Sequence, residues 1–106
     1  NSVLAPDGTR LTWPGGTWTA NGGLLFLASP DRGNHAIQAR TRPIEAELNG
    51  ARKLQGARSR RGGWWKAKEK RLIVDLSHRR WLQVDNCTEA QAFAALDALE
   101  IHDAGK

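Results

Sequence analysis

The stretch GWWKAKEKRLIVDLSHRRWLQV, residues 63–84, decides the fold. From Gly63 to Lys70 its period is two: Trp64, Lys66, Lys68 and Lys70 fall on one face, and Trp65, Ala67 and Glu69 on the other. That is the alternation of an extended strand, not of a helix. Leu72-Ile73-Val74-Asp75-Leu76 continues as an apolar strand, Ser77-His78-Arg79 turns the chain, and Arg80-Trp81-Leu82-Gln83-Val84 alternates again. The segment reads as a hairpin bent near Glu69. In it the adjacent tryptophans face opposite ways, Trp65 with Ala67 toward a core and Trp64 with three lysines toward solvent.

On the N-terminal side the chain is punctuated by turn signals: Pro6-Asp7-Gly8, Pro14-Gly15-Gly16, Asn21-Gly22-Gly23, Ser29-Pro30-Asp31 and Asn49-Gly50. Between them lie short β-type runs, Leu11–Trp13, Thr17–Thr19 and Leu24–Ala28, which together read as an antiparallel meander. Ile44-Glu45-Ala46-Glu47-Leu48 alternates apolar and acidic before Asn49-Gly50, a pair suited to a type I′ hairpin. That register sets Glu47 opposite Arg52 and carries the next strand to Leu54 or Gln55. Residues 55–63 combine small residues with like charges and read as a loop.

On the C-terminal side Thr88-Glu89-Ala90-Gln91 has the form of a capping box, and Ala92, Phe93, Ala95, Leu96 and Leu99 follow at helical spacing, with Gly105 closing the pattern. A helix with one apolar stripe must pack on something, and an antiparallel sheet is the large surface at hand. The fold class is therefore α+β: a small antiparallel β-meander or partly open barrel of about six or seven short strands, with one C-terminal amphipathic helix packed on it. Residues 1–106 have the length of a single domain. The chain begins with Asn1 and contains no Met, so it reads as processed or cut from a longer protein. Other domains of the parent chain are then expected neighbours.

Composition narrows the function. The longest apolar run, Leu24–Ala28, falls far short of the roughly 20 residues a bilayer needs, so no membrane span is expected and the expected location is cytoplasmic. Lone Cys87 forms no intrachain disulfide, fits a reducing compartment, and reads as a small buried hydrophobe. No Cys or His cluster has metal-ligand spacing, and no cofactor motif is present. Charge is organised along the chain. Residues 1–51 are neutral, residues 52–81 carry eleven Lys/Arg against Glu69 and Asp75, and residues 82–106 carry one Lys against five acids. Clustered charge creates a field that steers an anionic partner.

The candidate binding residues are Arg52, Lys53, Arg58, Arg60, Arg61, Trp64, Lys66, Lys68, Lys70, Arg79 and Arg80. Cations meet phosphates, and a flat exposed ring, Trp64, can stack on a base. Trp13, Trp18, Trp65 and Trp81 read as core. Lysines on an edge strand also serve to block aggregation, and an acidic protein surface would meet the same cations. The arginine-bearing loop favours a polyanion, because a protective edge needs no second cationic cluster.

Strands followed by a capped C-terminal helix in about 100 residues resemble the pleckstrin-homology-type superfold. Arg58, Arg60, Arg61, Gly63, Trp64 and Trp65, then Thr88, Ala92, Ala95 and Asp97, are similar in outline to the small sheet-plus-helix DNA-binding domains of the plant AP2 type and of phage integrase arms. The second resemblance implies a sheet that contacts DNA with a helix bracing its back. The first implies a protein-interaction domain that docks an acidic partner or peptide in a larger assembly.

The expected function is a non-catalytic module that binds nucleic acid, DNA or RNA, mainly through the phosphate backbone. The pleckstrin-homology-like interaction domain is the alternative, and a small basic nuclease the third reading. A nuclease would draw on His35, His78 or His102 with Asp31, Asp75, Glu45 or Glu47, Asp75 and His78 flanking one turn. The helix is acidic, which argues against helix-in-groove docking.

Overall fold

The computed structural model describes residues 1–76 and 79–102. Among them, ten strands form two antiparallel sheets, with one α-helix near the C-terminus. The α+β class expected from the sequence is the one observed. A small sheet has the order β1 (Ser2–Leu4), β2 (Arg10–Thr12), β10 (Glu100–His102). The large sheet is built from β3 (Thr17–Asn21), β4 (Leu24–Ala28), β5 (Asn34–Arg40), β6 (Arg52–Gln55), β7 (Gly62–Lys66), β8 (Arg71–Asp75) and β9 (Trp81–Val84). Its order is β3-β4-β5-β9-β8-β7-β6, so β3 and β6 are open edges and the sheet does not close into a barrel. No helix is long and apolar enough to cross a membrane among the described residues.

Register follows the apolar alternation. Trp65 pairs with Leu72, Leu72 with Val84, Val84 with Ile37 and Ile37 with Leu25, which makes one continuous apolar row across five strands. A slip of one residue would turn that row to the other face, so the row pins the register. The core forms on this inner face, where Leu25, Leu27, Ile37, Leu54, Leu72, Val74, Leu82 and Val84 meet Leu11 and Trp13 from one side and the helix from the other.

The helix α1 (Glu89–Ala98) begins with the expected capping box: the Thr88 hydroxyl accepts from Gln91 N–H and the Gln91 side chain accepts from Thr88 N–H, both at 3.1 Å. Its buried residues are Ala92, Ala95 and Leu96, while Phe93 faces outward, 39% exposed, contrary to its place in the expected stripe. Small Ala92 and Ala95 let the helix approach β6 and β7 closely. A Cβ on Gly63 would lie 2.9 Å from the Ile73 carbonyl oxygen of the neighbouring strand and 3.2 Å from Leu96 Cδ2 of the helix. Gly63 is therefore required first by the backbone of the neighbouring strand and then by the helix packed on it.

Four local expectations change. Residues 44–48 are not a strand: Glu45–Leu48 is a turn of 3₁₀ helix. Asn49 (φ −64°, ψ 121°) and Gly50 (φ 78°), with Ala51 N–H bonded to Leu48 C=O at 3.0 Å, form a type II turn, in which only the second central residue needs positive φ. Glu47 accordingly does not face Arg52. It binds Arg42 and Arg71, each at 3.3 Å. Third, the strand through the tryptophans stops at Lys66, and Ala67–Lys70 is a turn, so the row Trp64, Lys66, Lys68, Lys70 does not exist as one face. Finally β5, the longest strand, and the short β1 and β10 fall outside the runs expected to be extended.

The 3₁₀ turn matters because of where the chain must go. β5 lies next to β9, yet the chain re-enters the sheet at its far edge, β6, with three strands in between. Residues 41–51 cross the outer face to get there. Arg42 lies over the Trp81 ring, 5.7 Å from its centroid, Trp81 Nε1 donates to Arg42 C=O at 2.8 Å, and Glu47 reaches Arg71. Ile73, Trp81 and Gln83, which point away from the core, are consequently buried as well.

Candidate nucleic-acid interface

Strand polarity sorts the candidate cations. The β6–β7 loop, residues 56–61, and the turn between β8 and β9 lie at one end of the large sheet. The β7–β8 turn lies at the other. Arg58, Arg60, Arg61 and Arg79 therefore share one end, Lys68 and Lys70 occupy the opposite end, and Arg52 and Lys53 lie along edge strand β6. The eleven residues are divided among these places and the interior.

Two of them are structural. Lys66 is 9% exposed, with its ammonium 3.9 Å from Glu69. Arg80 is also 9% exposed and its Nη1 donates to Asp7 Oδ2 and Thr9 Oγ1, both at 2.9 Å. Asp7 answers that arrangement: burial pushes its carboxyl up, but the Thr9 N–H and Arg80 outweigh this and hold it below the ordinary value. Arg80 thus ties the β1–β2 loop to the β8–β9 turn. The sequence offers no local sign of this, since its partner is 73 residues away.

Along the edge, Arg52 pairs with Glu89 at the helix start and lies over Trp65, 5.7 Å from the ring centroid. Lys53 lies over Trp64 at 5.3 Å. The two tryptophans do face opposite ways. Trp65 packs against the core and donates Nε1–H to Cys87 C=O at 3.2 Å. Trp64 is half-buried on the outer face, paired with Ile73 and capped by the Lys53 ammonium. Its ring is thus already covered in part by a cation–π contact.

The loop between β6 and β7 is held by an acid of the helix, Asp97. Asp97 Oδ1 accepts from Arg58 N–H and Ser59 N–H, both at 2.9 Å, and Ser59 Oγ donates to Leu96 C=O at 2.7 Å. The Ser59 N–H first, then that of Arg58, keep the Asp97 carboxyl below its ordinary range. Gly56 N–H closes the loop on Arg61 C=O at 2.8 Å. The backbone is anchored while the side chains of Arg58 and Arg60 are exposed, and among the described residues neither side chain makes an ion pair. Arg60 (φ 64°), Lys70 (φ 54°) and Arg79 (φ 59°) all occupy the left-handed region, where glycine or asparagine is the relaxed choice.

A cleft of about 430 Å³ adjoins Arg79, walled by Pro43, Ile44 and Trp81, with Asp75 and Glu45 on its polar side. Two carboxylates beside one guanidinium do not make an anion cavity, so any phosphate contact falls to the protruding loops.

Among the described residues the catalytic candidates fall in separate places: Asp75 and Glu45 line the cleft beside Arg79, and Asp31 lies with buried His35 around Gly33. Glu47 is engaged by two arginines, and His102 lies on β10 in the small sheet. His78 lies outside the described residues. His35 is buried, its Nδ1 3.5 Å from Cys87 Sγ and 3.2 Å from Asp85 C=O. Burial first, then the Asp85 and Asp31 carboxylates, push the Cys87 thiol up to about 12, far from the thiolate a nucleophile requires. No group of three or more His, Cys, Asp or Glu side chains could hold a metal among the described residues.

Comparison of the chain with family models, with curated proteins and with solved structures finds no match.

Proposed function

We propose that this domain is a non-catalytic module that binds nucleic acid through the phosphate backbone, with Arg58, Arg60, Arg61 and Arg79 at one end of the large sheet and Lys53 on the adjoining edge as its contacts. One observation carries the reading: Arg60 and Arg79 are exposed arginines in left-handed backbone positions. Strain of this kind persists where something other than stability selects the residue. The chain keeps a cation at two such positions on this end of the sheet, as it does at Arg32 and Lys70 on the other.

The anchored loop adds to it. Asp97 uses its charge on backbone N–H groups, which fixes the loop and leaves the guanidinium groups free for phosphate, where arginine can bind bidentately. Such contacts position a protein without reading sequence, so binding to duplex and single strands of any sequence is expected. Trp64, half-buried under Lys53, is assigned a supporting role and not that of a stacking platform.

Fluorescence anisotropy with labelled duplex and single-stranded oligonucleotides tests this. At about 50 mM salt, micromolar affinity is expected, and five phosphate contacts give log K against log salt a slope near −4.5 for duplex DNA. Arg60→Glu and Arg79→Glu should weaken binding with the thermal unfolding curve unchanged. Absence of binding up to tens of micromolar protein at that salt overturns the proposal.

A further inference from the structure

The large sheet has two open edges, and they are built differently. Edge β6 carries Arg52 and Lys53, the charged residues with which sheets commonly discourage strand addition. Edge β3, Thr17-Trp18-Thr19-Ala20-Asn21, carries no charge, and no charged residue occurs anywhere from Leu11 to Pro30. Thr17, Thr19, Ala20 and Asn21 are all exposed. Among the described residues, no backbone hydrogen bond beyond the β3–β4 ladder involves Thr17–Asn21.

The surface beside this edge is apolar. Thr19 pairs with Phe26 and Asn21 with Leu24, and these two large side chains on the outer face are 40% and 38% exposed. A shallow groove runs over Thr17, Thr19, Phe26, Ala28 and Ala36. The connection that covers the outer face lies over β8 and β9, on the far side of β5, as its contacts with Trp81 and Arg71 show.

We infer that β3 is a self-association edge, pairing antiparallel with β3 of a second copy of this chain about a two-fold axis at Thr19. In that register Thr19 faces Thr19 of the partner and Thr17 faces Asn21, both pairings compatible with an antiparallel ladder. On the inner face Trp18, packed against the core with its Nε1 donating to Asn1 C=O at 3.0 Å, comes opposite the exposed Ala20 of the second copy. Phe26 of each copy then flanks the threonine pair, and one uncharged face runs across the junction. The symmetry is closed, so the assembly stops at two.

Charge selects a second copy as the occupant. The chain carries a formal net charge of +5, so two copies repel except where the surface is neutral, which is this edge. An acidic partner would be drawn to the cations of β6 and the arginine loop. Pairing of β6 with β6 would set Arg52 and Lys53 of each copy against like charges. The inference does not depend on nucleic-acid binding, since β3 and β6 are opposite edges of the sheet.

Sedimentation velocity of the full chain from about 5 to 500 μM tests it by mass action. A monomer–dimer equilibrium is expected, with amide hydrogen exchange in Thr17–Asn21 slowing as concentration rises. Thr19→Lys and, independently, Thr17→Lys place a cation on an exposed edge position; each should leave the protein monomeric, with the urea midpoint the wild type has at a concentration where it too is monomeric. Lys53→Gln should dimerise as the wild type does. A monomer throughout the range, a dimer that survives both lysine variants, or assembly beyond two copies overturns the inference.

Discussion

Arg60 offers a substitution whose two effects run in opposite directions. At φ 64° a residue with a Cβ is strained by about 1–2 kcal/mol, a cost that glycine does not carry. Glycine loses about 0.5–1 kcal/mol more chain entropy on folding. No side-chain ion pair of Arg60 offsets the difference among the described residues, and its C=O, which accepts from Gln55 Nε2, is untouched by the change. Arg60→Gly should therefore leave the domain between unchanged and about 1 kcal/mol more stable, raising the urea midpoint by up to about 0.5 M. The same variant removes one phosphate contact, so the salt slope should shrink by about 0.9. Arg60→Ala separates the two effects, because it keeps the backbone strain and loses the charge: it should bind as weakly as Arg60→Gly without the gain in stability. Urea unfolding and anisotropy against salt, on the three proteins side by side, measure both quantities. If Arg60→Gly costs more than about 1 kcal/mol, the arginine is held for the fold and the argument from strain fails. An unchanged salt slope removes Arg60 from the interface.

Gly63→Ala should destabilise by about 1–3 kcal/mol, read in thermal or urea unfolding, because its methyl would meet the Ile73 carbonyl of the neighbouring strand and Leu96 of the helix. Thr88→Ala should cost about 1 kcal/mol by leaving the Gln91 N–H without its cap. Acid should weaken the fold with a definite sign. Asp7 and Asp97 are held below the ordinary 3.8, so their contribution is complete above that value and is lost as pH falls through their lowered folded-state values. Urea midpoints from pH 6 to pH 2.5 should fall steeply below about pH 4, and Asp7→Asn should flatten that decline. Cys87, with its thiol pushed up to about 12 and its side chain enclosed, should not react with a thiol reagent in the native protein at neutral pH and should react fully in denaturant.

Legibility in the sequence tracked how local each determinant is. The capping box at Thr88 is complete within four residues, and it formed as expected. The apolar run at Leu72–Val74 and the alternation at Leu82–Val84 were likewise legible, and both faces of those strands end up buried. β5 was missed for the opposite reason: Asn34-His35-Ala36-Ile37-Gln38-Ala39-Arg40 has one β-branched residue, and its extended state is imposed by pairing to β4 and β9 on either side. The Asn49-Gly50 signal identified a turn correctly and its type wrongly. The preceding residues, read as a strand, instead form the 3₁₀ turn that carries the chain across the sheet. Asp97 was legible as a helix acid, but its partners at Arg58 and Ser59 are 39 and 38 residues away. No spacing rule reaches that far.

The largest departure, the dispersal of the cationic row, follows from that crossing. Alternation predicts an exposed face only where one side of an antiparallel sheet meets water. Here residues 41–51 pass over β9 and β8, so a side chain in mid-strand on either face is enclosed: Gln83 and Trp81 on the outer face, Leu82 and Val84 on the inner. A cation there must find an internal partner, and Lys66 with Glu69, and Arg71 with Glu47 and Asp85, have done so. Positions that escape are the edge strand and the turns, where the chain reverses and the backbone is left-handed at Arg60, Lys70 and Arg79. The high cationic density of residues 52–81 and its division among edge and ends are thus one consequence of topology. A polyanion bound by this domain would meet the sheet end-on, along its loops, and not flat against its face.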